Sequence, residues 1–167
     1  MTHPPDHSQP PAQAHWTTIY SPDEGATAGL GAKLAAGIGP GMRIYLRGDL
    51  GSGKTTLIRG LLRALGVKDT VKSPSYALVE LYVASRLDLY HFDFYRFLDA
   101  HEFEDAGLAD YFHGKGVCLV EWPERAGGAL PPPDLELSLA YSDTGREISV
   151  KAHSAAGERC LAKSQDA

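Results

Sequence analysis

The chain contains 167 residues, of which 43% are hydrophobic and 22% are charged. This is the composition of a globular protein with an apolar core, and it excludes a collagen-like or wholly disordered chain. Sixteen basic and twenty-one acidic residues give a net charge of −5, which disfavours direct nucleic-acid binding through a broad basic surface. The longest apolar runs, such as 117–120, are far shorter than the roughly 20 residues that span a bilayer, so we expect no membrane segment.

The sequence divides into a body and two tails. Residues 1–15 are rich in Pro, His, Gln and Ala without periodicity, which predicts a disordered leader that is not a secretory signal. Residues 16–151 form the predicted domain, and 152–167, rich in Ala, Ser and charge, predict a flexible C-terminal tail that is frayed or weakly helical. Cys118 and Cys160 lack metal-binding spacing. We expect a buried free thiol at Cys118 and a cytoplasmic location.

The predicted elements of the body alternate between strands and helices. The predicted strands are 16–20, 42–46, 77–83, 86–92, 117–120, 135–141 and 147–150. One predicted helix begins near Asp23 and ends in the glycine-rich segment 37–41, a second follows the glycine-rich turn after 42–46 and stops at Gly66, and a third covers 100–111. This order predicts an α/β three-layer fold, with a mainly parallel sheet and helices on both faces.

A phosphate-binding motif lies between the second strand and the second helix. Residues 48–55 read Gly-Asp-Leu-Gly-Ser-Gly-Lys-Thr and match G-x-x-x-x-G-K-[ST] at every fixed position. The glycines let successive backbone N–H groups point inward, and the helix N-terminus adds its positive end. Lys54 supplies a charge for the β- and γ-phosphates, and the Thr55 hydroxyl is a Mg²⁺ ligand. The flanking strand and helix favour a P-loop NTPase-like fold over a chance glycine-rich turn. The residues expected to bind the nucleotide here are Asp49, Gly51, Ser52, Gly53, Lys54, Thr55 and Thr56.

Two acidic residues each follow a predicted strand. Asp93 ends the run 87–92, and Glu121 ends the run 117–120. The carboxyl ends of strands in an open α/β sheet gather beside the ligand. A Mg²⁺ site next to a phosphate loop needs a carboxylate at this position. Each acid is therefore a candidate metal-site residue, with a simple strand-end cap as the alternative. Periodicity does not show which of the two contacts the metal.

Four sequence blocks together carry a family resemblance. They are Gly48 to Thr56, Ser73-Pro-Ser-Tyr76, His91-Phe-Asp-Phe-Tyr-Arg96 and Glu121-Trp-Pro-Glu124, in that order. This pattern resembles the TsaE family, the small bacterial P-loop ATPases of the tRNA threonylcarbamoyladenosine pathway. The resemblance extends over nearly the whole body of the chain and is much more specific than the phosphate loop alone.

The resemblance implies a particular activity and particular partners. TsaE proteins bind ATP with Mg²⁺, are weak ATPases alone and associate with the TsaB and TsaD proteins. TsaD transfers the threonylcarbamoyl group to adenosine 37 of tRNAs that read codons beginning with A, and ATP hydrolysis by TsaE supports turnover of the complex. The net charge of −5 agrees with tRNA being contacted only indirectly, through the partners.

The resemblance also assigns roles to individual residues. Lys54 and Thr55 match the phosphate lysine and the magnesium hydroxyl of the family, and Glu121 matches its metal-associated glutamate. Asp93 matches the aspartate that organises the attacking water or the water shell of the metal. Lys54, Asp93 and Glu121 are thus the predicted catalytic residues, Thr55 and Glu121 the predicted metal residues, and Arg146 is predicted to flank the adenine.

Three further residues keep two interpretations each. His91 is either a satisfied buried histidine or a participant in hydrolysis. Arg96 either approaches the γ-phosphate or forms a salt bridge to the acidic segment near Glu102 and Glu104. Trp122 is either the tryptophan that follows the family glutamate or an ordinary half-buried aromatic residue.

Two other functions compete with the ATPase hypothesis. A small-molecule P-loop kinase usually carries an arginine-rich lid, but between Arg63 and Arg125 the sequence has only Arg86 and Arg96. A nucleotide-dependent switch that does not hydrolyse ATP is the second alternative. The strand-end acids favour hydrolysis over the switch without proving it.

Overall fold

The computed structural model describes residues 16–167, so the leader predicted for 1–15 lies outside the described residues. The strands are β1 (Thr17–Ser21), β2 (Arg43–Gly48), β3 (Val79–Ala84), β4 (Leu87–Asp93), β5 (Val117–Glu121), β6 (Leu135–Tyr141) and β7 (Arg146–Ala152). The helices are α1 (Glu24–Ala35), α2 (Lys54–Ala64), α3 (His101–Asp105) and α4 (Ala155–Gln165). Two 3₁₀ segments cover Ala109–Phe112 and Pro123–Ala129. No helix in residues 16–167 is both long and apolar enough to cross a membrane.

All seven strands belong to one sheet, in the order β1-β7-β6-β2-β5-β4-β3. Strands β6, β2, β5 and β4 pair in parallel. Strand β7 runs antiparallel to both β6 and β1, so β1 points the same way as the four central strands. Strand β3 closes the other edge antiparallel to β4. The prediction of a mainly parallel sheet is therefore confirmed.

Alternation along the strands builds two cores, one on each face of the sheet. In β2, Ile44 and Leu46 belong to an aliphatic core, whereas the intervening Tyr45 belongs to an aromatic core. Side chains from α1, α2 and α4 fill the aliphatic core, and α3 and the 3₁₀ segments contribute to the aromatic core. The structure confirms the predicted three layers, with helical segments on both faces.

Helix α2 positions the phosphate loop. Its apolar residues Leu57, Ile58, Leu61 and Leu62 are fully buried against the sheet, since their spacing places them on one side of the helix. Asp23 caps the neighbouring helix α1, because its Oδ1 accepts a hydrogen bond from the backbone N–H of Ala26 at 2.8 Å. The burial of the apolar face of α2 against the sheet fixes the start of this helix at the carboxyl end of β2.

The structure corrects two predictions of local structure. The flexible tail predicted for 152–167 contains the regular eleven-residue helix α4, capped by Ser154 and anchored by the fully buried Cys160. Its buried residues are small, so its apolar signal in the sequence is weak. The single helix predicted for 100–111 is interrupted at Gly107, which has a φ of +70°. Because few other residues adopt that φ readily, α3 ends there and a 3₁₀ segment follows.

Candidate functional site

The phosphate loop connects β2 to α2 and depends on glycine at both ends. Gly48 has a φ of +148°, and a Cβ atom there would lie 2.5 Å from the Leu139 carbonyl oxygen. Gly53, with a φ of +106°, occupies the N-cap position of α2 in a left-handed conformation. Both positions exclude a side chain, one by close approach and the other by backbone conformation. The loop therefore takes the turn that the motif predicts.

Lys54 is the first residue of α2 and is almost completely buried. Its Nζ donates hydrogen bonds to the carbonyl oxygens of Gly48 at 2.6 Å and Asp49 at 2.9 Å. The same nitrogen lies 4.5 Å from the centroid of the Trp122 ring. Burial lowers the pKa of the Lys54 ammonium, and the nearby carboxylate of Glu121 opposes this effect. The loop thus holds a desolvated positive charge at its centre.

Glu121 is the last residue of β5 and bonds directly to Thr55, in the first turn of α2. The Thr55 hydroxyl lies 2.9 Å from Oε1 and 3.0 Å from Oε2 of this carboxylate, to which it donates. On the other side, Nε2 of His91 lies 2.7 Å from Oε2. Glu121 is 3% exposed and His91 is fully buried. A hydroxyl, a buried carboxylate and a buried imidazole therefore form one hydrogen-bonded cluster beside the phosphate loop.

Asp93 ends β4 and lies opposite Glu121 in the parallel pairing of β4 and β5. Its Oδ1 accepts a hydrogen bond from the backbone N–H of Tyr95 at 2.8 Å, and its Oδ2 accepts one from the Ser73 hydroxyl. Both strand-end acids and Lys54 line one cleft. The structure therefore brings together the three residues predicted to be catalytic.

This cleft has a volume of about 400 Å³. Most of the residues predicted for nucleotide, metal or catalysis line it, namely Gly51, Gly53, Lys54, Thr55, Thr56, Asp93, Glu121 and Arg146. Asp49 and Ser52 belong to the loop without lining the cleft. The Asp49 side chain is exposed and its carbonyl accepts from Lys54, while Ser52 is fully buried.

Arg146 and Tyr141 brace the phosphate loop from the hairpin between β6 and β7. Arg146 Nη2 donates to the Gly51 carbonyl at 3.3 Å, and the Tyr141 hydroxyl donates to the Leu50 carbonyl at 3.1 Å. Nε of Arg146 is buried and has no hydrogen-bond partner. The predicted contact of Arg146 with adenine remains a prediction, while its contact with the loop is an observation.

Two aromatic residues, Trp122 and Tyr95, also line the cleft, and the sequence predicted only the first of them as a candidate. The Trp122 ring lies 5.1 Å from that of Tyr95, and the Arg125 guanidinium lies 5.2 Å from both rings. Trp122 has a left-handed backbone with a φ of +58°, which is rare for a bulky residue and accompanies functional sites. Of the two interpretations of Trp122, its position in the cleft lining favours the functional one. Tyr95 was missed, although it lies two residues after Asp93 in the same sequence block.

The structure shows the contacts of Arg96 and His91, each of which had two interpretations from the sequence. The Arg96 guanidinium lies 3.8 Å from the centroid of the Tyr76 ring and lines the cleft. Within residues 16–167 Arg96 forms no salt bridge to the acidic segment. His91 is a buried histidine, but only one of its nitrogens has a partner, because Nδ1 is buried without one.

The oxygen donors beside Lys54 suit a magnesium ion. The Thr55 hydroxyl and the carboxylates of Glu121 and Asp93 are hard ligands of the kind Mg²⁺ prefers, usually one or two carboxylates together with phosphate and water oxygens. Within the described part of the chain, no group of three or more His, Cys, Asp and Glu side chains is arranged to hold a metal by itself. The donor set therefore fits Mg²⁺ carried with a nucleotide.

The strand–loop–helix unit, the buried lysine and the strand-end acids define a P-loop NTPase-like protein. The family described as "Threonylcarbamoyl adenosine biosynthesis protein TsaE" matches residues 21–148. The chain belongs to this family, which confirms the resemblance inferred from the four sequence blocks.

Individual relatives agree with this assignment. The chain is 40% identical over 149 residues to the tRNA threonylcarbamoyladenosine biosynthesis protein TsaE of Haemophilus influenzae, covering 86% of this chain and 94% of the relative. It is 41% identical over 141 residues to the Bacillus subtilis protein of the same name, covering 84% and 86%. The crystal structure of Bacillus subtilis YdiB superimposes with a TM-score of 0.79 and 31% identity, covering 93% of this chain and 97% of the other.

Proposed function

We propose that the chain is a Mg²⁺-dependent ATPase of tRNA threonylcarbamoyladenosine formation. It acts in the cytoplasm with TsaB and TsaD, at position 37 of tRNAs that read codons beginning with A, and contacts tRNA only through these partners. Its ATP hydrolysis supports turnover of the complex. Membership of the TsaE family supports the pathway, as do the names of the relatives. The net charge of −5 supports the indirect contact with tRNA.

One observation carries the hydrolytic part of the proposal. The Thr55 hydroxyl and the Glu121 carboxylate are hydrogen-bonded to each other, and both line the cleft with Lys54, at the loop whose backbone is shaped to bind phosphate. Taking a carboxylate out of water is costly unless it is paired. A buried acid held beside a phosphate loop is best explained by a Mg²⁺-nucleotide complex.

Each of these residues then has a physical task. The loop N–H groups and the Lys54 ammonium bind the β- and γ-phosphates, and the desolvation of Lys54 strengthens this attraction. Thr55 and Glu121 would hold a Mg²⁺ ion, which would supply positive charge to the phosphate oxygens when bound. Asp93 is fixed by the N–H of Tyr95 and the hydroxyl of Ser73, and orients the attacking water.

Release of phosphate from labelled ATP, measured with and without TsaB and TsaD, tests the function. We expect slow release from the protein alone and faster release with both partners. Transfer of the label to a metabolite would instead identify a small-molecule kinase. Partner binding that depends on ATP without any phosphate release would identify a switch that does not hydrolyse ATP. Retention of TsaD and TsaB by the tagged protein from its own cell lysate tests the pathway separately.

The two acids are distinguished by their amide variants. Glu121→Gln removes a charge that we assign to the metal, so the gain in ATP affinity on adding Mg²⁺ should shrink by about 1.5–3 kcal/mol, or roughly ten- to a hundredfold. Asp93→Asn should keep that gain and lose turnover, because we assign Asp93 to the transition state. Glu136→Gln, a glutamate of β6 paired with Arg47 outside the cleft, is the matched control.

Nucleotide titrations with and without Mg²⁺, together with the phosphate-release assay, distinguish the roles of Glu121 and Asp93. If Asp93→Asn loses the effect of Mg²⁺ and Glu121→Gln keeps it, the two roles are reversed. Equal loss in both variants would mean that the acids form one metal site.

A further inference from the structure

His91 is a fully buried titratable side chain that the mechanism above does not use. It lies in β4, where it pairs with Leu119 of β5 two positions before Asp93 pairs with Glu121. Residues two apart on a strand share a face, so Leu89, His91 and Asp93 all point toward the helical layer of α2. The imidazole contacts the Glu121 carboxylate, with 2.7 Å between Nε2 and Oε2.

The two donors to the Glu121 carboxylate are not equivalent. The Thr55 hydroxyl lies nearly equidistant from both oxygens, at 2.9 and 3.0 Å, so its single proton does not select between them. His91 contacts Oε2 alone. The imidazole is therefore the contact that fixes the rotation of the carboxylate, and Oε1 is the oxygen left with fewer partners.

The hydrogen-bond pattern also assigns the proton on the imidazole. An ionised carboxylate only accepts hydrogen bonds, so Nε2 must donate. Nδ1 is buried and has no hydrogen-bond partner. Buried polar groups usually have partners. A histidine that leaves one nitrogen unsatisfied while the other holds a site carboxylate is poorly explained by packing alone.

We propose that His91 is a positioning residue that acts through Glu121. Its Nε2 holds Oε2 through the 2.7 Å hydrogen bond and so sets the orientation of the carboxylate beside Thr55. The inference rests on the proposed role of Glu121 toward Mg²⁺. It adds a specific function for the histidine of the His91-to-Arg96 block, which the sequence left open.

The test compares His91→Leu, His91→Gln and a matched control. Leucine fills a similar apolar volume without a donor, whereas the glutamine amide N–H replaces the Nε2 proton. The control is His153→Leu, because Nε2 of His153 also contacts a glutamate, Glu136, at 2.9 Å but outside the cleft. ATP titrations over a range of Mg²⁺ concentrations report on the site, phosphate release reports kcat and KM, and thermal unfolding reports on the fold.

In His91→Leu, the Mg²⁺ concentration that gives half of the gain in ATP affinity should rise about 10- to 100-fold, as for other groups that orient a metal-site carboxylate. ATP affinity without Mg²⁺ should not change, kcat should fall, and His91→Gln should recover most of the loss. The control should behave as the wild type. A Mg²⁺ response in His91→Leu equal to the control, or a folded His91→Gln without any recovery, would overturn the proposal.

Imidazole nitrogen NMR of the wild-type protein tests the tautomer without any substitution. We expect a proton on Nε2 of His91, where it makes the hydrogen bond to Glu121, and an Nε2 without a proton would overturn the proposal even if the variants failed to fold. A wild-type protein that binds Mg²⁺-ATP but releases no phosphate would refute the ATPase proposal alone. The binding and tautomer measurements would still decide the role of His91.

Discussion

Where α1 and α2 cross, a glycine of each helix lies against the backbone of the other. This close contact predicts how much stability the protein loses when a methyl group is added to one of these glycines. A Cβ atom on Gly31 would lie 2.0 Å from the Leu57 carbonyl oxygen, and one on Gly60 would lie 2.0 Å from the Ala28 carbonyl oxygen. Ordinary van der Waals contact begins at 3.4 Å. Gly31→Ala therefore requires the two helices to separate by about 1.4 Å at this point (3.4 − 2.0).

The free energy of unfolding should fall by about 2 kcal/mol in Gly31→Ala. Overpacking costs about 1–3 kcal/mol and occasionally more, and we expect about 3 kcal/mol here because the obstacle is backbone that cannot rotate away. The higher helix propensity of alanine returns up to about 1 kcal/mol. For a chain of this size, 1 kcal/mol corresponds to about 2–4 °C, so the expected decrease in Tm is about 4–8 °C.

Thermal unfolding followed by circular dichroism measures this change, and α1 supplies its own control. Gly29 lies on the same helix, but nothing lies within 4 Å of a Cβ at that position. Gly29→Ala should therefore unfold at or above the wild-type temperature, by the same gain in helix propensity. If Gly31→Ala also matched or exceeded the wild type, the close approach of the two helices would be refuted.

Two further predictions concern the loop and the thiols. Lys54→Ala should abolish ATP hydrolysis and weaken nucleotide binding by about 1.5–3 kcal/mol, or one to two decades in affinity. Lys33→Ala, at an exposed lysine, is the control. Turnover close to wild type in Lys54→Ala would contradict the proposed function. Burial raises the pKa of Cys118 to about 12 and that of Cys160 to about 11. Because the thiolate is the reactive form, neither should react with a thiol reagent at pH 8 until the protein unfolds, and rapid labelling of the native protein would contradict their burial.

The site was predictable where its determinants are local or follow from parallel strands. The phosphate loop is a contiguous motif, so its residues could be identified without knowledge of the fold. Asp93 and Glu121 are 28 residues apart in sequence, but each ends a strand of the same parallel sheet, and they lie opposite each other in the register of β4 and β5. The parallel arrangement alone brings their side chains to one edge.

Features that depend on distant partners were not predictable. Helix α4 is held by the Ser154 hydroxyl, which donates to Asp134 at 2.6 Å, and by the close approach of Gly157 to the Asp134 carbonyl. Cys160 packs beside Gly37 of the segment after α1. Small buried residues give little apolar periodicity, so the sequence of α4 resembles a solvated tail until its partners are known.

A motif specifies which residues form a site, whereas burial decides which atoms they contact. Lys54 and Glu121 are both nearly buried, and an unpaired buried charge costs several kcal/mol. The chain therefore supplies partners from its own atoms, two loop carbonyls for the ammonium and the Thr55 and His91 side chains for the carboxylate. His91 has no place in the phosphate-loop motif. It becomes part of the site because a buried glutamate at the end of β5 needs a second donor, and the neighbouring strand places an imidazole within reach.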